Sequence, residues 1–189
     1  MGKTQITTGR VRFSFVNIFE PKETQSGQLK YSITLLIPKK DTKTLEKIKS
    51  AIEEAKKLYK EKNPGKKLPA NLSTTIHDGD GARPSGEDFG PECAGNYVIT
   101  VNSNNKPVIV DSSKAPITEP EEVYSGCYGR AIINFYVYDT AGNKGVTAGL
   151  NGIMKLGEGE PLAGNRITDA DWDDDWEDVD SADMSGLLD

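Results

Sequence analysis

The alternation of apolar and polar positions predicts that the chain is built mainly of β-strands. Residues 6–19 alternate because Val11, Phe13 and Phe15 share one parity and polar side chains occupy much of the other. Residues 29–37 alternate in the same way after a turn-rich connection. We therefore expect the two segments to pair as a long antiparallel hairpin whose apolar parity faces the core. In the second segment that parity comprises Leu29, Tyr31, Ile33, Leu35 and Ile37.

Helical spacing replaces this alternation after Pro38. Apolar residues then recur every three or four positions, and Asp41 is placed to cap the start of a helix. The sequence Asn63-Pro64-Gly65 ends the pattern, so one helix is predicted between Asp41 and Asn63. Its many lysines are expected to form a solvated face. The apolar positions are Leu45, Ile48, Ile52, Ala55 and Tyr59.

The second half of the chain contains a long irregular segment followed by further strands. Residues 78–95 are rich in glycine and proline, which excludes a regular element and indicates a functional or mobile loop. Residues 97–111 contain two β-rich runs around a polar centre and are predicted to form a hairpin. Residues 124–139 give the clearest strand pattern, and residues 146–156 are predicted to form its partner strand or a short element.

The order of these elements favours a small antiparallel barrel or sandwich. About six or seven strands with one helix after the second strand show no alternating strand–helix rhythm, which argues against a parallel sheet. A five-stranded Greek-key barrel with insertions fits this order, and a jelly-roll-like sandwich is the alternative.

Charge divides the chain into a basic body and an acidic tail. The formal net charge of the whole chain is −6. Residues 168–189 contain 10 of the 29 acidic residues and none of the 23 lysines and arginines. Residues 1–167 therefore hold 23 bases against 19 acids. We predict a folded domain over residues 1–167 and a disordered acidic tail over residues 168–189.

Composition and motifs argue against several classes of protein. The chain has neither a start that resembles a signal peptide nor an apolar run long enough to span a membrane. Cys93 and Cys127 are expected to be free buried thiols, as in a reducing cytoplasm. The single histidine, His77, has no partners with metal-ligand spacing and is interpreted as part of a polar turn. Without a phosphate-binding loop or nucleophile elbow, we expect no catalysis, metal or cofactor.

The polar parity of residues 124–139 is typical of a surface that binds single-stranded nucleic acid. It combines Tyr128, Arg130 and Tyr136, and the first two strands add arginine and lysine on their polar parity. Aromatic rings stack on unpaired bases at about 1–3 kcal/mol each, while cations contact the phosphates. The alternative is that outward tyrosines merely cover the sheet.

Two tryptophans in the acidic tail suggest a role beyond solubility. A tethered segment has an effective concentration of order millimolar at a cationic groove, so an acidic tail can compete there with nucleic acid. Tryptophans four positions apart also share one face of a helix and can anchor in a partner's pocket. A tail that serves only solubility is the alternative. The residues predicted to contact partner proteins are Trp172, Asp173, Asp174, Asp175 and Trp176.

Residues 124–139 and the block GNKGVTAGLNGIMKLGEGEPLAG that follows resemble a family of bacteriophage single-stranded-DNA-binding proteins. The resemblance extends over nearly the whole chain, including the N-terminal strands and the acidic C-terminus. It implies an OB-type antiparallel Greek-key barrel with one inserted helix, which coats single-stranded DNA during phage replication and recombination in the cytoplasm of the infected host. It also implies that the tail contacts replication or recombination proteins. The oligomeric state is left open, and a homodimer is allowed.

Strand parity supplies the candidate site residues, because the resemblance assigns no stacking residues by position. Tyr128, Arg130 and Tyr136 form the predicted centre of the DNA-binding surface. Phe89, the one aromatic residue in the loop of residues 78–95, is a candidate ring that closes over the strand. The predicted phosphate contacts are Arg10, Arg12 and Lys30.

Two other functions are compatible with the sequence. The first is a protein-interaction module whose tail mimics the charge of DNA and inhibits a host nuclease or repair factor, with no DNA binding of its own. The second is a structural virion component with a jelly-roll fold. Binding of single-stranded oligonucleotides separates both from the leading interpretation.

Overall fold

The computed structural model describes residues 3–70, 72–83, 85–140 and 143–162. This part of the chain contains nine strands and one α-helix, and none of its helices is long and apolar enough to cross a membrane. The elements are β1 (Gln5–Thr7), β2 (Val11–Glu23), β3 (Leu29–Pro38), α1 (Thr42–Lys62), β4 (Ser73–Thr74), β5 (Ile76–Asp78), β6 (Asn96–Ser103), β7 (Val108–Val110), β8 (Tyr128–Thr140) and β9 (Asn143–Gly157).

Five of the strands close into a barrel in the order β2-β3-β6-β9-β8 and back to β2. Four of the five contacts are antiparallel, and the fifth, between β6 and β9, is parallel, with Asn102 opposite Gly149. If the barrel strands β2, β3, β6, β8 and β9 are numbered 1 to 5 in chain order, their order around the barrel is 1-2-3-5-4. This is the order of a five-stranded Greek key of the OB type. The predicted fold class is confirmed, and the sandwich alternative is excluded because the ring is closed.

The interior of the barrel is built from alternate residues of its strands. In β8, Ala131, Ile133 and Phe135 are at most 1% exposed, as the parity of the sequence predicts. In β3, Ile33 and Leu35 are fully buried in the same way. The parity prediction fails at the tip of the β2–β3 hairpin, where Leu29 is 61% exposed because the hairpin has no further strand over it there.

Helix α1 lies between β3 and β6 in the chain and packs against β8 and β1. The carboxylate of Asp41 accepts hydrogen bonds from the backbone N–H and the hydroxyl of Thr44, which confirms the predicted N-cap. Ile48 and Ala55 are buried on the inner face. The helix ends before Asn63, and the lysine-rich side is largely exposed, as predicted.

The predicted hairpin over residues 97–111 is wrong. Strand β7 does not pair with β6; instead it pairs in parallel with β9, so that Val108 lies opposite Gly152. Both edges of β6 are already occupied, one by β3 and the other by β5 and β9. The apolar run therefore continues around the barrel to the next free edge, where Ile109 becomes buried.

Both cysteines are free and buried, in agreement with the prediction. Cys127 lies in the main core, and Cys93 lies in a smaller cluster with Leu36 and Val98 on the outer side of the barrel. Burial raises the pKa of both thiols, so they remain protonated and unreactive at neutral pH.

Candidate nucleic-acid interface

A groove with a cavity of about 530 Å³ crosses the outer face of β2, β3 and β6. Its floor combines the apolar side chains of Leu36 and Val98 with short polar side chains, because the outward positions of neighbouring strands align in rows. One row joins Ser14, Thr34 and Thr100, and the hydroxyls of the two threonines lie 3.0 Å apart. Such a floor allows a polymer backbone to approach the sheet closely while offering hydroxyl groups for hydrogen bonds.

A second row extends the same surface toward β8. Ser32 lies opposite Asn102, and Asn102 lies opposite Gly149. The ring of Tyr136 stands beside Gly149, 3.8 Å from the place where a Cβ atom would be, and is 44% exposed. The residues of the two rows form a continuous surface that we call the polar track: Ser14, Ser32, Thr34, Thr100, Asn102 and Gly149.

Phe15 stands at the other end of the polar track. The sequence predicts it in the core, but its side chain is 58% exposed and lines the groove. The reason is a β-bulge, because the pairing of β2 with β3 shifts between Ser14 and Asn17, and Phe15 has a φ of +46°. This φ is uncommon for a residue other than glycine, and strained residues of this kind concentrate at functional sites.

The loop of residues 79–95 covers one side of the groove and adds a second ring to it. Phe89 packs against the cluster of Leu36, Cys93 and Val98 beneath it. The guanidinium carbon of Arg83 lies 5.0 Å from the centre of the Phe89 ring, and the ring of His77 lies 6.5 Å from it. Both Arg83 and His77 line the groove. The loop therefore places an aromatic ring and a cation over the polar track.

A lysine clasp holds this loop against the barrel. Lys39 Nζ lies 2.7 Å from a carboxylate oxygen of Asp78 and 2.7 Å from one of Asp80, and Asp80 also accepts a hydrogen bond from the N–H of Gly95. The hydrogen bonds from Lys39 lower the pKa of Asp78 and Asp80, and the same bonds raise the pKa of Lys39. All three groups are therefore charged at neutral pH, and the two ends of the loop stay joined.

The residues that the sequence predicts to contact DNA form two separate groups on the barrel surface. Lys30 lies opposite Lys22 on the β2–β3 hairpin, and Lys22 lines the groove near Phe15. Phe89 also lines the groove, and Tyr136 stands at the far end of the polar track. The structure therefore brings three of the predicted residues to this surface: Lys30, Phe89 and Tyr136.

The other predicted residues form a second cluster where β2 meets β8. The guanidinium carbons of Arg10 and Arg12 lie 4.7 Å and 5.7 Å from the centre of the Tyr128 ring. Arg12 donates to the carbonyl oxygens of Gly126 and Glu160, so its guanidinium is partly occupied by the barrel itself. Arg130 likewise donates to the carbonyl oxygen of Thr8, further along β8.

Four groove residues were missed by reasoning from the sequence: Phe15, Lys22, His77 and Arg83. Phe15 follows the apolar parity, and nothing in its neighbours indicates the bulge. Arg83 lies in the irregular loop, so its position depends on how the loop folds back. His77, which the sequence places in a polar turn, instead lies on the short strand β5 and pairs with Val98 of β6. The position of Lys22 near the hairpin turn predicts that its side chain is exposed, but it does not predict that the side chain points toward the groove.

The described part of the chain ends at Leu162, beside the groove. The N–H of Leu162 donates to the carbonyl oxygen of Ser125, and its side chain packs against the small outer cluster that contains Phe89. Leu162 also lines a cavity of about 300 Å³ together with Phe15 and Lys22. The predicted tail contacts, from Trp172 to Trp176, lie outside the described residues.

The chain is similar to several phage proteins. The chain is 30% identical over 185 residues to protein p50 of Acyrthosiphon pisum secondary endosymbiont phage 1, an alignment that covers 90% of this chain and 93% of that protein. It is similar to the structure of the single-stranded-DNA-binding protein of bacteriophage Enc34 in complex with single-stranded DNA, with a TM-score of 0.71 and 28% identity over 85% of this chain and 90% of that one.

A more distant structure shares the fold alone. The single-stranded-DNA-binding protein of bacteriophage T7 matches 89% of this chain and 100% of its own, with a TM-score of 0.57 and 17% identity. The family model for the single-stranded-DNA-binding protein of Enterobacter phage Enc34 matches residues 4–184. This is a family of DNA-binding proteins and not of enzymes. The chain therefore belongs to the Enc34 family of phage single-stranded-DNA-binding proteins.

Proposed function

We propose that this protein binds single-stranded DNA without sequence preference and acts in phage DNA replication and recombination in the cytoplasm of the host bacterium. The observation that carries the proposal is the polar track with a ring-bearing surface at both ends: the exposed Phe15 and the half-buried Phe89 lie at one end, and the exposed Tyr136 lies at the other. Family membership and the Enc34 complex with DNA support it.

The geometry suits an extended strand with unstacked bases. Rings stack on any base at about 1–3 kcal/mol each, which gives affinity without selecting a sequence. The short side chains of Thr34 and Thr100 leave room for the sugar–phosphate backbone between the rings, and Lys22 and Arg83 stand where phosphates would pass. Duplex DNA keeps its bases stacked on one another, so the rings gain little from it.

The cluster of Arg10, Arg12 and Tyr128 is proposed as a second set of contacts beyond the groove, together with Arg130. Arg10 is exposed, and its charge is available to a phosphate. Arg12 and Arg130 already donate to backbone carbonyls, so we expect them to contribute less to binding than Arg10 does.

The domain of residues 1–167 and the tail of residues 168–189 are proposed to have different roles. The domain binds DNA, while the acidic tail competes with DNA for the groove and recruits replication or recombination proteins through Trp172, Trp176 and the three aspartates between them. The position of Leu162 beside Phe15 supports the competition, because a chain that starts there reaches the polar track without spanning the barrel.

Titration of labelled oligonucleotides at several salt concentrations tests the function. We expect single-stranded DNA to bind with an affinity that falls as salt rises, with a log–log slope of about −0.7 per phosphate neutralised, and we expect weaker binding of duplex DNA. The measurement is the anisotropy of the label. A protein-interaction module that only mimics DNA predicts negligible affinity for both oligonucleotides at every salt concentration, and that outcome would contradict the proposal.

A further inference from the structure

A separate apolar groove lies on the outer face of β1, β8, β9 and β7. One row of outward positions crosses these four strands, because Thr7 lies opposite Ile132, Ile132 opposite Gly152, and Gly152 opposite Val108. Gly152 has no side chain, so it forms the floor of a cavity of about 220 Å³ between the side chains of Val108 and Ile132. Met154 forms part of the lining.

The walls of this apolar groove are exposed although they are hydrophobic. Val108 is 66% exposed and Ile132 is 36% exposed, and they are two of the six large hydrophobic side chains that are exposed in the described part of the chain. A Cβ atom on Gly152 would lie 3.4 Å from Ile132 Cδ1 and 3.6 Å from the carbonyl oxygen of Val108, which are ordinary van der Waals contacts, so both walls stand directly beside the floor. Facing hydrophobic walls of this kind mark an interaction site.

We propose that this apolar groove binds the tail of the same chain, with an indole ring from the segment of residues 172–176 inserted between Val108 and Ile132. The proposal rests on the proposed competition between tail and DNA, and it names the place where the tail is anchored. Indole rings bury a large apolar area, and tryptophan is enriched among the residues that anchor protein interfaces in pockets.

The tail is long enough to reach the apolar groove. Leu162 is fixed to Ser125, which precedes Tyr128 by three residues, and Ile132 follows Tyr128 by four residues along β8. The seven residues from Ser125 to Ile132 span at most about 25 Å. Trp172 follows Leu162 by ten residues, which span up to about 35 Å when extended. An indole of the same chain therefore reaches the groove without full extension.

Charge also favours this occupant. Arg130 lines the apolar groove, and its guanidinium forms no ion pair within the described residues. Trp172 is flanked by Asp171 and Asp173 in the sequence, so an inserted indole places a carboxylate near this cation. An uncharged hydrophobic partner would leave Arg130 without such a contact.

Anchoring at this position brings the acids of the tail to the polar track. Asn134 is two residues beyond Ile132 on the same face of β8, and it lies opposite Gly149, the last residue of the track. Two residues along a strand span about 7 Å. An indole in the apolar groove therefore holds Asp173, Asp174 and Asp175 close to the end of the track where Tyr136 stands.

Intrinsic fluorescence of the full chain tests the anchor, because both tryptophans of the protein belong to the tail. We expect blue-shifted emission and weak quenching by acrylamide in buffer compared with the same protein in concentrated urea. With a tethered concentration of order millimolar and an affinity of order 0.1 mM, about nine-tenths of the tails are docked.

V108D should make the quenching resemble that in urea and should raise the affinity for single-stranded DNA several-fold. I132D, from the opposite wall, serves as a second variant.

L156D is the matched control, because Leu156 is also exposed on β9 and does not line the apolar groove. Circular dichroism verifies that each variant is folded. The anchor is refuted if the wild-type tryptophans are already as accessible in buffer as in urea, or if V108D and L156D change the emission equally. A blue shift that grows with protein concentration would assign the groove to the tail of a neighbouring molecule and overturn the same-chain anchor. DNA affinity measured on the same samples reports separately whether the protein binds single strands.

Discussion

Replacing Phe15 and Phe89 together by leucine is expected to lower the affinity of the protein for a single-stranded oligonucleotide about a hundredfold, or about tenfold for each ring. Leucine retains apolar volume but has no flat face on which a base can stack. Phe15 is 58% exposed, so its replacement costs the folded state little, and the leucine of F89L would keep contacts with Leu36 and Cys93. Anisotropy of a labelled oligonucleotide at fixed salt measures the loss.

The control for the two rings is L156A, which removes an exposed apolar side chain away from the polar track. Thermal unfolding should be nearly the same for this variant, for F15L and for the wild type. If F15L and F89L bound DNA as tightly as L156A does, the rings of the groove would have no part in binding. The site would then be sought at Tyr128 and its two arginines.

Removal of residues 168–189 is expected to raise the affinity for single-stranded DNA about tenfold at low salt. This factor follows from a tethered concentration of order millimolar and an intrinsic affinity of the tail for the barrel of order 0.1 mM. The gain should shrink as salt rises, because screening weakens the attraction between the ten acids of the tail and the cations of the barrel. Titrations of the full chain and of residues 1–167 over a salt series measure the difference.

A variant in which Asp173, Asp174 and Asp175 become asparagine distinguishes the effect of the tail's charge on DNA affinity from the effect of its tryptophans. If charge drives the competition, this variant should recover much of the affinity of the shortened protein while keeping both tryptophans. A shortened protein that binds DNA no better than the full chain, or less well, would contradict the competition between tail and DNA.

Strand parity predicted the barrel wherever a strand is regular and its inner face is buried. Ala131, Ile133 and Phe135 fill the interior because the period of two holds along this part of β8. The N-cap at Asp41 was equally predictable, because capping depends on a few neighbouring residues. The closed order of the strands came from the resemblance to a known family and not from the pattern.

The site was less predictable because it depends on irregular backbone and on long-range pairing. The bulge at Phe15 reverses the direction of a side chain that parity assigns to the core. Arg83 and Phe89 reach the groove because the clasp of Lys39 with Asp78 and Asp80 folds their loop over the barrel. The sequence favours pairing of β7 with β6, the strand that directly precedes it in the chain, so it does not predict the observed pairing with β9.

Single-stranded DNA is expected to lie across the polar track, and amide chemical shifts measure this most directly. In a titration of the isotope-labelled protein with oligothymidine, we expect the largest changes at the amides of Phe15, Thr34, Thr100 and Asn102. The outer face of α1, represented by Lys49 and Glu53, should remain unchanged. Shifts concentrated on that helix, with the polar track unaffected at saturating DNA, would contradict the proposed binding surface.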